Sequence, residues 1–156
     1  MKKKKTLRNS AKAVIIHDGR LLVIQKKDRD DCYCVLPGGG QKKSETLPEA
    51  LKREALEEIG AKIKVGPLLH VREYFSEKHG FALADRELHQ IDFFFACRLT
   101  EDYEPKNGSQ PDSRQRKVKW IRLDQLDKAN FYPRCLLAVL KHPEKSQTAM
   151  YLGDCN

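Results

Sequence analysis

No stretch of this sequence is apolar over the roughly 20 residues that a membrane-spanning helix needs. It also has no Cys-x-x-Cys pair and no histidine cluster, which argues against a zinc site. Its five cysteines, at 32, 34, 97, 135 and 155, are odd in number and irregularly spaced. That usage suits reduced thiols in a cytoplasmic protein, and Cys32 and Cys34 would share one face of a strand, partly buried. Residues 2–5 are all lysine, but no apolar segment follows them, so they do not make a signal peptide. They read as a solvated tail rather than a nucleic-acid arm. Internal repeats and a second composition regime are both lacking. The 156 residues are therefore expected to form a basic flexible tail, residues 1–9, and one domain, residues 10–156, long enough for a real core.

Charge is present in excess of one sign. Thirty basic against 22 acidic residues give a net charge of +8, which suits an acidic substrate. Along the chain, residues 11–25 read as a hairpin, two β-rich runs joined by Asp18-Gly19, a preferred tight-turn dipeptide. Residues 26–31 are a charged connection whose basic members could reach a phosphate. A short strand, residues 33–36, ends on Pro37 and three glycines. Residues 62–74 are extended with a bend at Gly66-Pro67, and residues 75–87 form a polar loop. Residues 89–99, apolar through the middle, are the central strand. Residues 100–116 read as an exposed, mobile loop. Residues 117–123 alternate as a strand carrying Trp120, Asp124 would cap a short helical turn, and Tyr132-Pro133 would open a last helix ended by Pro143. Residues 150–152 could add an edge strand. The succession fits an α/β layered fold with a mixed sheet.

The densest pattern lies in residues 39–61, GGQKKSETLPEALKREALEEIGA. Thr46 with Glu49 forms a capping box, Pro48 fits a first turn, and Gly60 is a C-terminal stop. A helix of about three and a half turns lies between them. Leu47, Leu51, Ala55 and Ile59 make its core stripe. Glu54, Glu57 and Glu58, at i, i+3 and i+4, gather on one side at the edge of that stripe. Carboxylates so crowded repel one another unless a cation sits among them, and hard oxygen donors suit Mg²⁺ or Mn²⁺. An ordinary acidic surface helix is the alternative reading of the helix taken alone. Arg53 can pair with Glu57, four residues on.

The full spacing resembles the signature of the Nudix hydrolases: Gly39, Glu45, Arg53, Glu54, Glu57, Glu58 and Gly60 fill its fixed positions. Ala55 and Ala61 stand where bulkier aliphatics are usual. The resemblance implies a Nudix-type α-β-α sandwich with a curved mixed sheet. It implies hydrolysis of a nucleoside diphosphate linked to another group, with water attacking phosphorus and Mg²⁺ (or Mn²⁺) assisting. By carry-over, Glu54, Glu57 and Glu58 with the Gly39 carbonyl would be metal ligands. Glu54 or Glu58 would act on the water, Arg53 would orient a glutamate, and Glu45 would steady the helix start. The substrate would be a small nucleotide derivative such as ADP-ribose, a nucleoside triphosphate or a nucleotide sugar. The protein would touch no membrane, and a homodimer is a state small relatives take. Two other functions compete: a Nudix domain that binds a nucleotide without cleaving it, and action on RNA 5′ ends, for which no binding motif is visible. Outside the signature, Arg72, Glu73, Tyr74, Glu87, His89, Glu101, Asp102 and Glu104 are candidates for the pocket. Tyr103 and Phe81 are candidates for base stacking, and Trp120 is a candidate core residue.

Overall fold

The computed structural model describes residues 4–79, 86–141 and 149–156. Among these residues there are eight strands: β1 (Lys4–His17), β2 (Arg20–Asp28), β3 (Asp31–Val35), β4 (Gly38–Gly40), β5 (Ile63–Phe75), β6 (Arg86–Leu99), β7 (Gln115–Arg122) and β8 (Tyr151–Asp154). The helices are α1 (Leu47–Ile59) and α2 (Leu137–Lys141), with 3-10 segments at Leu123–Ala129 and Arg134–Leu136. The expected α/β fold with a mixed sheet is what forms. Strand order is β3-β2-β1-β6-β5-β8, with β4 added beside β1 and β7 beside β2. The β1–β6 and β5–β8 pairs are parallel and the others antiparallel.

β1 organises this sheet. Its alternation places Ala11, Ala13 and Ile15 on one face, where they pack with Leu51, Ala55 and Ile59 of α1. Val14, on the other face, joins Phe94, Leu126, Phe131 and Leu136 in a second core under the C-terminal segments. The layers are therefore helix, sheet and helical segments. The Asp18-Gly19 turn forms as expected, with φ of 48° and 67°, the paired left-handed residues a tight hairpin requires. β6 is indeed central, lying between β1 and β5. The register of β5 shifts on both sides of Leu68, next to the Gly66-Pro67 interruption.

Several expectations differ from the structure. The backbone pairs with β6 from Lys4 onward, so residues 4–9 belong to the sheet rather than to a tail. The charged residues 26–28 extend β2, because β3 pairs back on them directly as far as Asp28↔Asp31. Residues 100–114 are not a loose loop: Tyr103, Gly108 and Gln110 bond to the end of α1. Asp124 does not cap the turn. Arg122 occupies that position, and the two side chains pair at 2.7 Å. The last helix is short, a 3-10 turn running into five residues of α2. Cys135 and Cys155, expected as thiols, are joined in a disulfide, whereas Cys32, Cys34 and Cys97 are free. Phe81 and Pro143 lie outside the described residues.

Candidate active site

α1 is set by its own sequence at the first end. The Thr46 hydroxyl accepts from the Glu49 N–H at 3.3 Å, and the Glu49 carboxylate accepts from the Thr46 N–H at 2.7 Å. Both partners of the capping box are thus made. At the other end Gly60 turns left-handed, φ 61°, and closes the helix. Leu51, Ala55 and Ile59 are wholly buried, as the apolar stripe required.

Arg53 joins the signature residues. Its Nε and Nη2 donate to the two oxygens of Glu45 at 3.0 and 2.7 Å, a bidentate fork. Nη1 donates to Glu54 at 2.8 Å and to Glu57 at 3.1 Å, and Nη2 also reaches the Gly40 carbonyl at 3.0 Å. All the N–H donors of the guanidinium are engaged in this way. Hydrogen bonding to Arg53, before all else, holds the Glu45 carboxyl down at about 2. Arg53 in turn is raised, first by Glu45. Glu45 is thus tied to the helix through Arg53.

Glu58 lies deeper, 7% exposed, and its Oε2 accepts from the Gly38 N–H at 2.9 Å. Burial pushes its carboxyl upward, against the opposing pull of Lys12. Lys12 was not singled out in the sequence. Its ammonium donates to the Gly38 carbonyl at 3.2 Å, and burial lowers it despite the attraction of Asp92 and Glu58. The Gly38 peptide is therefore held from both sides. Gly38, φ 132°, could carry no side chain, since a Cβ would fall 2.1 Å from the Ala11 carbonyl oxygen. At Gly39 a Cβ would fall 2.6 Å from the Glu54 carboxyl carbon, so backbone and carboxylate are in direct contact there.

The far end of α1 depends on distant residues. Gly108 N–H donates to the Glu58 carbonyl and Gln110 N–H to that of Glu57, both at 2.8 Å. The Gln115 amide also reaches the Glu58 carbonyl, at 2.7 Å, and the Tyr103 hydroxyl donates to that of Ile59, also at 2.7 Å. Carbonyls that a helix end normally leaves unsatisfied are paired here. Tyr103 is thus an anchor rather than a stacking platform.

On the sheet face opposite α1 lies a polar row that the apolar pattern gave no sign of. Gln90 accepts from Arg8 and donates to Asp92 at 2.8 Å, and Asp92 accepts from Arg72 at 2.9 Å. Asp92 is 1% exposed and Arg72 8%, so this is a buried ion pair. Glu73 pairs instead with His89 at 2.9 Å and with the Tyr151 hydroxyl at 2.6 Å, and Tyr74 stacks on His79. Glu101, Asp102 and Glu104 are exposed on their loop. Trp120 is partly buried against the core beneath α1. A depression of about 580 Å³ beside Arg20, Arg122 and Lys141 contains no signature residue.

Among the described residues, no three His, Cys, Asp or Glu side chains stand at metal-enclosing spacing as they lie. Arg53 is the cation bridging Glu54 and Glu57 in this arrangement. The donor set is nevertheless all hard oxygen, with a glycine backbone pressed on Glu54, and it fits a divalent ion of the Mg²⁺ class once the carboxylates turn from Arg53.

The family model described as NUDIX domain matches residues 6–139. The chain belongs to the Nudix family. A Nudix hydrolase from Nitrosomonas europaea is similar in structure, with a TM-score of 0.70 and 17% identity over 89% of each chain. An ADP-ribose pyrophosphatase from Streptococcus suis has a TM-score of 0.63 and 19% identity, over 96% of this chain and all of that one (100%). A MutT Nudix hydrolase from Burkholderia pseudomallei has a TM-score of 0.60 and 26% identity, over 76% of this chain and 85% of that one. A search of curated proteins found no match. The chain is thus a Nudix hydrolase, and among its described residues no helix is long and apolar enough to cross a membrane.

Proposed function

We propose that this Nudix hydrolase cleaves a phosphoanhydride bond of a nucleoside diphosphate linked to another group, with Mg²⁺ as cofactor and Mn²⁺ as a substitute. ADP-ribose is one candidate, since structural relatives include an ADP-ribose pyrophosphatase and a UDP-X diphosphatase. Nucleoside triphosphates and nucleotide sugars are others. The observation that carries the reading is Arg53, whose guanidinium gathers Glu45, Glu54 and Glu57 against the glycine strand while Glu58 is fixed on Gly38.

In this reading Glu54, Glu57 and Glu58 with the Gly39 carbonyl hold the metal. A bound divalent ion would supply charge neutralisation at phosphate and a lowered water pKa. Arg53 orients Glu54 and Glu57, and either Glu54 or Glu58 aligns and accepts a proton from the attacking water. Lys12 and Lys26, the latter 2.8 Å from Asp112, both bring positive charge to bear on Glu58. A cytoplasmic setting and a homodimer belong to the same proposal.

Coupled phosphate release across a nucleotide panel, with Mg²⁺ and with Mn²⁺, tests the reading. One substrate should turn over, and a Glu57→Gln/Glu58→Gln double variant should lose that turnover. Nucleotide binding that raises the Tm with no turnover of any substrate would instead make this a binding domain.

A further inference from the structure

The polar row ends on a segment that the proposed chemistry does not use. Ser10 pairs with Asp92 and Asp92 with Arg72 across β1, β6 and β5, while Lys12 lies one two-residue step from Ser10 on the same face. Two strand spacings, about 10 Å, therefore separate Arg72 from the strand that contacts Gly38. Between them the Ser10 hydroxyl is fully buried and has no hydrogen-bond partner among the described residues. At the far end, Arg72 Nη1 donates to the Cys155 carbonyl at 2.6 Å and to the Asn156 side-chain oxygen at 3.3 Å. The guanidinium also lies 5.2 Å from the centre of the Tyr74 ring. A charged fork on an aromatic ring, facing two oxygens, is a site for ligand oxygens, and here the chain's own residues fill it.

The filling segment has little regular strand pairing. β8 meets β5 in register only at Val71↔Tyr151 and Glu73↔Asp154. Its further ties are the Val71 N–H to the Met150 carbonyl at 2.8 Å, His70 to the Ala149 carbonyl at 3.2 Å, the Tyr151 and Cys155 contacts to Glu73, and Asp154 with His79 and Lys78, while Leu152 packs partly on the second core. Beside these ties, the bridge from Cys155 to Cys135 joins the segment covalently to the turn that carries Leu136. A covalent link of this kind keeps the local concentration of the Cys155 carbonyl at Arg72 in the millimolar range or above. Both cysteines are partly exposed, so small thiols can reach them.

We propose that residues 149–156 form a thiol-controlled strap that competes with a phosphate- or sugar-bearing substrate for Arg72, locked by the Cys135–Cys155 disulfide and loosened when it is reduced. Reduction consumes two small thiols. The first thiolate attacks one sulfur and forms a mixed disulfide, and the second releases the protein thiol as the small molecules leave joined as a disulfide. The two protons from the small thiols end on Cys135 and Cys155. Oxidised small-molecule disulfide drives the reverse exchange. The ligand half of the inference rests on the proposed hydrolase reading, and the strap half does not.

The test compares the full chain with and without a thiol reductant, beside Cys135→Ser, in which the reductant has no bridge to cut. Amide exchange is read at Val71 and Cys155, whose N–H groups bond to the Met150 and Glu73 carbonyls. ADP-ribose binding is read by calorimetry with chelator present, so that turnover does not interfere. Reduction should speed both amides at least tenfold and tighten ADP-ribose at least fivefold. Cys135→Ser should resemble the reduced protein under both conditions. Unchanged exchange would overturn the strap, and equal or absent binding in both states would overturn its competition for Arg72. Binding that tightens on reduction, with no hydrolysis of any substrate, would sink the hydrolase reading and leave the strap standing.

Discussion

The two ends of α1 are closed by opposite strategies. At the first end Thr46 and Glu49, three positions apart, satisfy each other. At the last end the Glu58 carbonyl is met by Gln115, 57 positions away, and by Gly108. Local closure forms wherever the four-residue pattern occurs. Distant closure requires the sheet and the loop of residues 100–114 to be in place first. The acids of the site lie between these ends, so their geometry depends on a local anchor and on the finished fold together.

Arg53 ties the middle of the helix to the glycine strand and gives the largest expected effect. A lysine has three donors on a flexible stem and cannot serve Glu45, Glu54, Glu57 and the Gly40 carbonyl together. Arg53→Lys should lower kcat about 100-fold, the scale set by small misplacements of reacting groups, with circular dichroism unchanged. A variant with near wild-type kcat would show that the carboxylates need no such tie.

Next comes the distant closure. A Cβ at Gly108 would fall 2.4 Å from the Glu57 carbonyl oxygen and 2.5 Å from that of Leu56. Gly108→Val should therefore lift the loop from the helix, costing about 2–3 kcal/mol and roughly 5–10 °C in Tm. Because Glu57 and Glu58 sit on the released turn, kcat should fall as well. Stability lost with kcat intact would separate the loop from the site.

The two single caps make the comparison sharpest. Gln115→Leu and Thr46→Ala should each cost about 1 kcal/mol by chemical denaturation. Only the first should lower kcat, since the Gln115 amide bonds the Glu58 carbonyl while Thr46 lies a full helix away from it. Equal kcat losses would show that the acids are sensitive to either end.

The same contrast explains what the sequence revealed. Capping box, core stripe and glycine stop are short-range patterns, and all three formed as expected around Glu54, Glu57 and Glu58. Lys12 and the pairing of Arg8, Gln90, Asp92 and Arg72 into one row gave no such signal, though Arg72 itself stood out as a pocket candidate. Their partners come from four strands, β1, β4, β5 and β6, and alternation marks only where apolar side chains go. Gly108 looked like a loop glycine, because its need for close approach exists only once α1 lies under it. The cysteines misled for a related reason: Cys135 and Cys155 are brought together by β8 joining the sheet beside β5, an event with no local mark.

The smallest expected effect concerns Glu45, which holds Arg53 from outside the helix. Its carboxyl sits at about 2, below its ordinary value of 4.5, because the charged form is favoured by Arg53 and by the Lys42 N–H. A carboxyl lowered on folding stabilises the folded state fully above its unfolded pKa, and that contribution disappears as pH falls through the folded value. The stability gap between wild type and Glu45→Gln should thus be constant above about pH 5, shrink between about 4.5 and 2, and vanish below that. Denaturation at several pH values measures it, with Glu49 titrating alike in both proteins and cancelling. A gap that does not change across this window would mean Arg53 is held by Glu54, Glu57 and the Gly40 carbonyl alone. The anchor outside the helix would then be dispensable, and the local end of α1 would reach no further than Glu49.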